Sequence, residues 1–115
     1  MSYRMDWHGG EVTKKYREAA AETLQEMAEG VLTEANKTVP HDEGDLEGSG
    51  TPSVDVRELV AAVSYDTPYA TKLHESEPGE YSFRGNGRRK WLEQTINEMS
   101  GQLEKFAADE MRKRL

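Results

Sequence analysis

Apolar residues recur along this chain with two different periods. From Glu11 to about Asn36, the positions Val12, Tyr16, Ala20, Leu24, Met27, Val31 and Ala35 return every three or four residues, which puts them on one stripe of a helix. The opposite face carries Lys14, Lys15, Glu18, Glu22, Gln25, Glu26 and Glu29, and Glu11 with Lys15 makes a favourable i,i+4 pair. Gly30 interrupts the run, at a cost of about 1 kcal/mol relative to Ala unless it admits a close neighbour. A second stripe, Trp91, Leu92, Ile96, Met99, Leu103, Phe106, Ala107 and Met111, predicts a closing helix over residues 88–114. Lys105, Arg112, Lys113 and Arg114 crowd its last turns, where cations oppose the negative end of the helix dipole; we read them as helix termination rather than as a binding tail.

Between the stripes the pattern changes. Residues 37–53 hold Pro40, Gly44, Gly48, Gly50 and Pro52 together with the carboxylates Asp42, Glu43, Asp45 and Glu47, a composition that breaks helix and predicts a long, exposed, acidic functional loop. Over residues 54–65, Val54 and Val56 alternate with polar neighbours and Leu59 to Tyr65 is a run of β-branched residues and alanine, predicting two strands joined near Arg57 and Glu58 that pair as a hairpin. Asp66 and Thr67 are good N-caps and Pro68 suits a first helical position, so a short helix is expected over 67–75 with Tyr69 and Leu73 facing inward. Glu77-Pro78-Gly79 has the chemistry of a turn with glycine at positive φ. Tyr81 and Phe83 predict a further strand within 80–87, and residues 1–10 read as an N-terminal arm. There is no internal repeat and no low-complexity tract. The expectation is a single α+β domain, with two long amphipathic helices packed on a small, mainly antiparallel sheet and one short extra helix.

Composition narrows the classes. A chain of 115 residues with 35% hydrophobic content has material for one modest core, which excludes large multi-domain enzymes. No apolar run approaches the roughly 18 residues of a membrane-spanning helix, and Met1 to Gly10 lacks the charged-then-apolar order of a signal peptide, so a soluble, unexported protein with no membrane partner is expected. The absence of cysteine removes disulfide scaffolds, thiolate nucleophiles, Cys-ligated zinc and iron–sulfur clusters. Net charge is -7, and Met1 to Arg57 carries 12 acids against 6 bases. Such a surface repels duplex DNA unless a local basic patch intervenes.

Candidate chemistry is sparse. His74-Glu75 opens like H-E-x-x-H, but Ser76, Glu77, Pro78 and Gly79 follow and no second His comes one turn later. His8, His41 and His74 lie far apart, as surface or capping histidines do. Glu43, Asp45, Glu47 and Gly48 imitate the start of a calcium loop, yet its twelfth position is Val54, where a bidentate carboxylate is required. No catalytic residue, metal site or cofactor is therefore expected. The best local chemistry lies in Arg84-Gly85-Asn86-Gly87-Arg88-Arg89-Lys90, where a glycine turn opening a helix offers backbone N–H groups among four cations. That turn matches no nucleotide-binding motif; a small nucleic-acid-associated regulator gripping backbone phosphate through Arg84, Arg88 and Arg89 is one reading, and a solubilising turn the other. A small hydrolase around His74 and Glu75 is a third. Tyr65, Tyr69, Tyr81, Phe83 and Trp91 are read as core rather than as a platform for bases, with Tyr65, Tyr69, Leu73 and Trp91 forming a seam between the short helix, the sheet and the closing helix.

Three segments in this order resemble a known family. Pro40-His41-Asp42-Glu43-Gly44-Asp45-Leu46-Glu47-Gly48-Ser49 is similar to the P-x-D-x-G-x-L-x-x-S loop that follows the first helix in minor capsid and tail-completion proteins of long-tailed bacteriophages. Tyr65-Asp66-Thr67-Pro68-Tyr69-Ala70-Thr71-Lys72-Leu73-His74-Glu75 resembles that family's strand followed by Y-A-x-x-x-H-E, and Trp91-Leu92 its W-L opening of the last helix. Order and spacing agree from about residue 11 to 110, although Gly48 and Gly50 make the stretch around Ser49 less apolar than the family's. The resemblance implies a virion subunit, free in the host cytoplasm during assembly, that forms a ring of like copies, six in number, at the neck. There it would join tail to head as a connector, contact other neck and tail proteins (adaptor or connector, tail tube or terminator), and let DNA pass without sequence-specific binding. No catalysis is implied. Asp42, Glu43, Asp45 and Glu47 would then face neighbours or the DNA channel, where carboxylates keep passing phosphates from sticking.

Overall fold

The computed structural model describes residues 1–7, 13–40, 44–83 and 85–115. In chain order the elements are β1 (Ser2–Asp6), α1 (Lys14–Ala35), α2 (Gly44–Gly48), β2 (Gly50–Asp55), β3 (Val60–Tyr65), α3 (Ala70–His74) and α4 (Trp91–Arg114). The fold is α+β, with a three-stranded antiparallel sheet in the order β1-β3-β2.

The Thr13 side chain caps α1 by accepting from the Tyr16 N–H, supplying a partner that the first helical turn lacks. Ala20, Leu24, Met27, Val31 and Ala35 lie buried along its stripe as their spacing requires, while Glu11 and Val12 fall outside the described residues. Gly30 has no close neighbour: a Cβ built on it meets nothing within 4 Å, so the residue lowers helix propensity without serving a contact. Helix α4 runs back along α1. At one end the Arg88 N–H donates to Thr38 O; at the other the Thr23 hydroxyl lies 3.8 Å from Met111 Sδ, and Arg114 bridges Glu22 and Glu26. The terminal cations thus do more than stop the helix, because Arg114 ties it to α1.

In the sheet, alternate residues of β3 (Ala61, Val63, Tyr65) are buried, and Tyr3, Met5, Pro52 and Val54 pair beside them in register. Pro52 sits on an edge strand, where its missing N–H costs no ladder bond. The β2–β3 turn falls at 56–59, with Asp55 Oδ1 accepting from the Arg57 and Glu58 N–H groups and Arg17 donating to the carbonyls of Val56 and Arg57. Gly50 opens β2 opposite Tyr65, and a Cβ there would come within 2.6 Å of Leu32 Cδ1 and 2.9 Å of Tyr65 Cε1. The missing Cβ at this position is what lets the strand lie against α1.

Several expectations are corrected; residues 50–53, predicted as loop, belong to strand β2. Residues 2–6 are a strand, not an arm: Tyr3 and Met5 alternate with exposed Ser2, Arg4 and Asp6 and pair with β3. Conversely, none of residues 80–83 is in a strand; the chain passes Gly79 at φ 84 and Gly85 at φ 58, and these left-handed residues turn it back instead of extending it. The Pro78-Gly79 turn itself forms, closed by Glu80 N–H to Glu77 O at 3.0 Å. The short helix begins later than its cap signals predict: Ala70 N–H is bound by Thr67 O, while Thr67 Oγ1 is buried with no hydrogen-bond partner among the described residues.

Candidate functional site

The Y-A-x-x-x-H-E segment brings α3 between β1 and the start of α4, and His74 is its pivot. The imidazole is 0% exposed, with its ring centroid 5.2 Å from that of Tyr3 and 4.9 Å from that of Trp91. Its Nε2 accepts the Glu93 N–H at 3.3 Å and its Nδ1 lies 2.8 Å from Glu75 Oε1, so the neutral ring carries its proton on Nδ1 and donates it to the carboxylate. The His74 carbonyl accepts the Lys90 N–H at 3.1 Å. Helix α4 has Lys90 as N-cap in the left-handed conformation (φ 52, ψ 39), and Lys90 gives no side-chain cap. A residue from another element therefore caps it twice, by carbonyl and by ring nitrogen.

Burial is the main cause that holds the His74 pKa below its ordinary value, against the pull of Glu75. Glu75 is held below the usual carboxylate range, first by the His74 hydrogen bond; the same Oε1 accepts the Tyr3 hydroxyl at 3.2 Å. Burial, with Glu75 nearby, pushes the Tyr3 phenol up to about 12. With both imidazole nitrogens engaged and no exposed edge, His74 has no lone pair for a substrate or a metal. Among the described residues, no group of three or more His, Asp or Glu side chains could hold a metal ion.

The basic turn is spent inside the chain. Arg88 grips Glu98 with two hydrogen bonds, at 2.7 and 3.0 Å, and reaches Thr95 Oγ1 at 3.3 Å. Arg89 donates to Ser76 O at 3.0 Å, and Lys90 Nζ stands 3.6 Å from Glu75 and 3.5 Å from Glu93. Arg84 lies outside the described residues, so three of the turn's four cations are placed, each beside an acceptor of its own chain.

Much of the acidic loop proves to be an anchored helical turn. Leu46 (1% exposed) belongs to the same core cluster as Val39, and Pro40 is buried as well. Ser49 Oγ donates to Leu46 O and accepts the Asp66 N–H at 3.2 Å, tying the loop to the end of β3. Asp45 and Glu47 are exposed on α2; Asp42, Glu43, His41 and His8 lie outside the described residues. Of the expected seam, Tyr65 and Trp91 are fully buried, edge to face at 5.6 Å, and Tyr69 and Leu73 are half-buried beside them. Tyr65 donates to Asn36 Oδ1 at 2.7 Å, and burial pushes its phenol up to about 12.

Sequence reasoning missed Tyr3, Lys90 and Glu93 as partners of His74. The alternation Tyr3, Met5, Trp7 is the one local signal of the strand that carries Tyr3, and it is too short to place that strand without its partner; nothing local marks the other two. Among the described residues no helix is long and apolar enough to cross a membrane. No protein-family model, curated protein or solved structure matches this chain.

Proposed function

We propose that this protein is a structural subunit of a bacteriophage neck, one of about six like copies in a ring that joins tail to head and lets DNA through. One observation carries the reading. Seven motif residues of the three family-like segments, Pro40, Leu46, Ser49, Ala70, His74, Trp91 and Leu92, are buried or bonded within this chain. Residues used to fix a fold make the resemblance one of architecture rather than of a reaction. Both outer strands, β1 and β2, leave one edge without a partner strand among the described residues, as a subunit that adds neighbours requires. A head-to-tail contact that closes on itself produces a ring.

The rival readings are less well supported. Arg88 and Arg89 are engaged in the chain's own contacts, which leaves the nucleic-acid regulator without most of its grip, and sealed His74 deprives a hydrolase of its base. Negative-stain electron microscopy of the purified chain tests the proposal. Closed rings with a central opening are expected; a field of single particles about 48 Å long overturns it. Duplex binding whose affinity falls steeply between low and moderate salt would favour the regulator instead.

A further inference from the structure

We propose that His74 is a proton-sensitive latch, in which protonation of Nε2 releases the first turn of α4 and, with it, strand β1. The inference is independent of the assembly reading above. Its basis is a bond that only the neutral ring can make. Nε2 accepts from the Glu93 N–H, and a proton placed there would set two donors face to face at 3.3 Å. It would also add positive charge at the positive end of the α4 dipole. The ring is sealed between Tyr3 and Trp91, so water cannot take over the broken bond without opening the packing.

Charged groups face the ring from each element around it. Glu75 at the end of α3 already holds Nδ1–H, and Lys90 in the preceding turn stands against both Glu75 and Glu93. Glu93 presents its N–H from α4, and Tyr3 brings from β1 a phenol that stays neutral. The carboxylates favour the imidazolium, whereas burial, Lys90 and the helix end oppose it, and the opposing side prevails. The sign follows. The folded-state pKa lies below the unfolded value of about 6.5, so the unfolded chain binds the proton more readily. The latch is closed above about pH 6.5 and weakens as pH falls below it. Strand β1 shares the fate of α4 because the Tyr3 ring is one wall of the sealed imidazole site, so admitting water to Nε2 opens the packing on that side as well.

Imidazole 15N shifts of the full chain, together with hydrogen-exchange protection at pH 7.5 and 5.0 corrected for intrinsic rates, test this. Expected are the Nδ1–H tautomer at pH 7.5 and, at pH 5.0, a loss of protection at Lys90, Glu93 and the β1 amides of up to about thirtyfold, the limit set by an open-state imidazole pKa about 1.5 units above that pH. Amides in the middle of α1 should keep their protection. His74→Gln offers an amide oxygen to Glu93 N–H and cannot titrate, so its protection should be nearly flat across the same pH range. An Nε2–H tautomer, unchanged protection in the unmodified chain, or an equal acid loss in His74→Gln each overturns the latch. Should His74→Gln not fold, the tautomer and the exchange of the unmodified chain decide alone.

Discussion

Gly50→Ala tests how closely the sheet lies on α1. The added Cβ would sit 2.6 Å from Leu32 Cδ1 and 2.9 Å from Tyr65 Cε1, about an ångström inside ordinary contact. Leu32 is half-buried and can swing its methyl away at little cost. Tyr65 cannot follow: its ring is 0% exposed, held by Asn36 at 2.7 Å and packed edge-on against Trp91. Overpacking of this kind costs about 1–3 kcal/mol. With a urea slope of about 1–3 kcal/mol per molar, a mid-range cost of about 2 kcal/mol should lower the unfolding midpoint read by circular dichroism by roughly 0.7–2 M. Gly48→Ala, two residues earlier, is the internal control: its Cβ meets nothing within 4 Å, so the midpoint should hold or rise slightly. Leu32→Ala on the Gly50→Ala background should recover only part of the loss. Equal midpoints for Gly50→Ala and the unmodified chain would refute the packing described for this strand.

Further outcomes follow from the same contacts. Trp91→Ala should destabilise by about 3–5 kcal/mol in urea titration, since the indole is fully buried at the junction of Tyr65 and His74. Gly30→Ala and Gly101→Ala, both inside long helices with no atom within 4 Å of the new Cβ, should each stabilise by about 0.5–1 kcal/mol; a loss at either would mean that its helix face is more crowded than described. If the proposed ring forms, replacing Asp42, Glu43, Asp45 and Glu47 with Lys should leave the melting temperature within a few degrees and raise the salt-sensitive DNA binding of the assembled particle above that of the unmodified one. Unaltered DNA passage and assembly would remove the acidic loop from the channel.

The long helices were legible because each repeats one signal over six or more turns, and burial in the fold follows those stripes. Strand β3 and the turn before it were legible, but Gly50 to Ser53 of β2 fall in what composition predicts as loop, because Gly50 and Pro52 carry turn chemistry. Strand β1 was not, although Tyr3 and Met5 alternate clearly, because five residues can be placed only when their partner strand is known. Tyr81 and Phe83 misled for the converse reason: alternation predicts a strand only where a neighbour can take up its hydrogen bonds. The helix starts drifted, too. Asp66 and Thr67 carry good cap signals, yet α3 begins at Ala70, and α4 begins at Trp91 rather than at residue 88, where His74, seventeen residues upstream, supplies the cap. The basic turn shows the same limit. Its composition suits phosphate, but only the fold puts Glu98 against Arg88 and the Ser76 carbonyl against Arg89.

Native mass spectrometry of the intact chain over a range of concentrations tests the central claim most directly. A connector subunit should appear as one closed species at a fixed multiple of its 13.0 kDa mass, near six, with few intermediates. A particle that stays at the mass of one chain at every concentration would contradict the account.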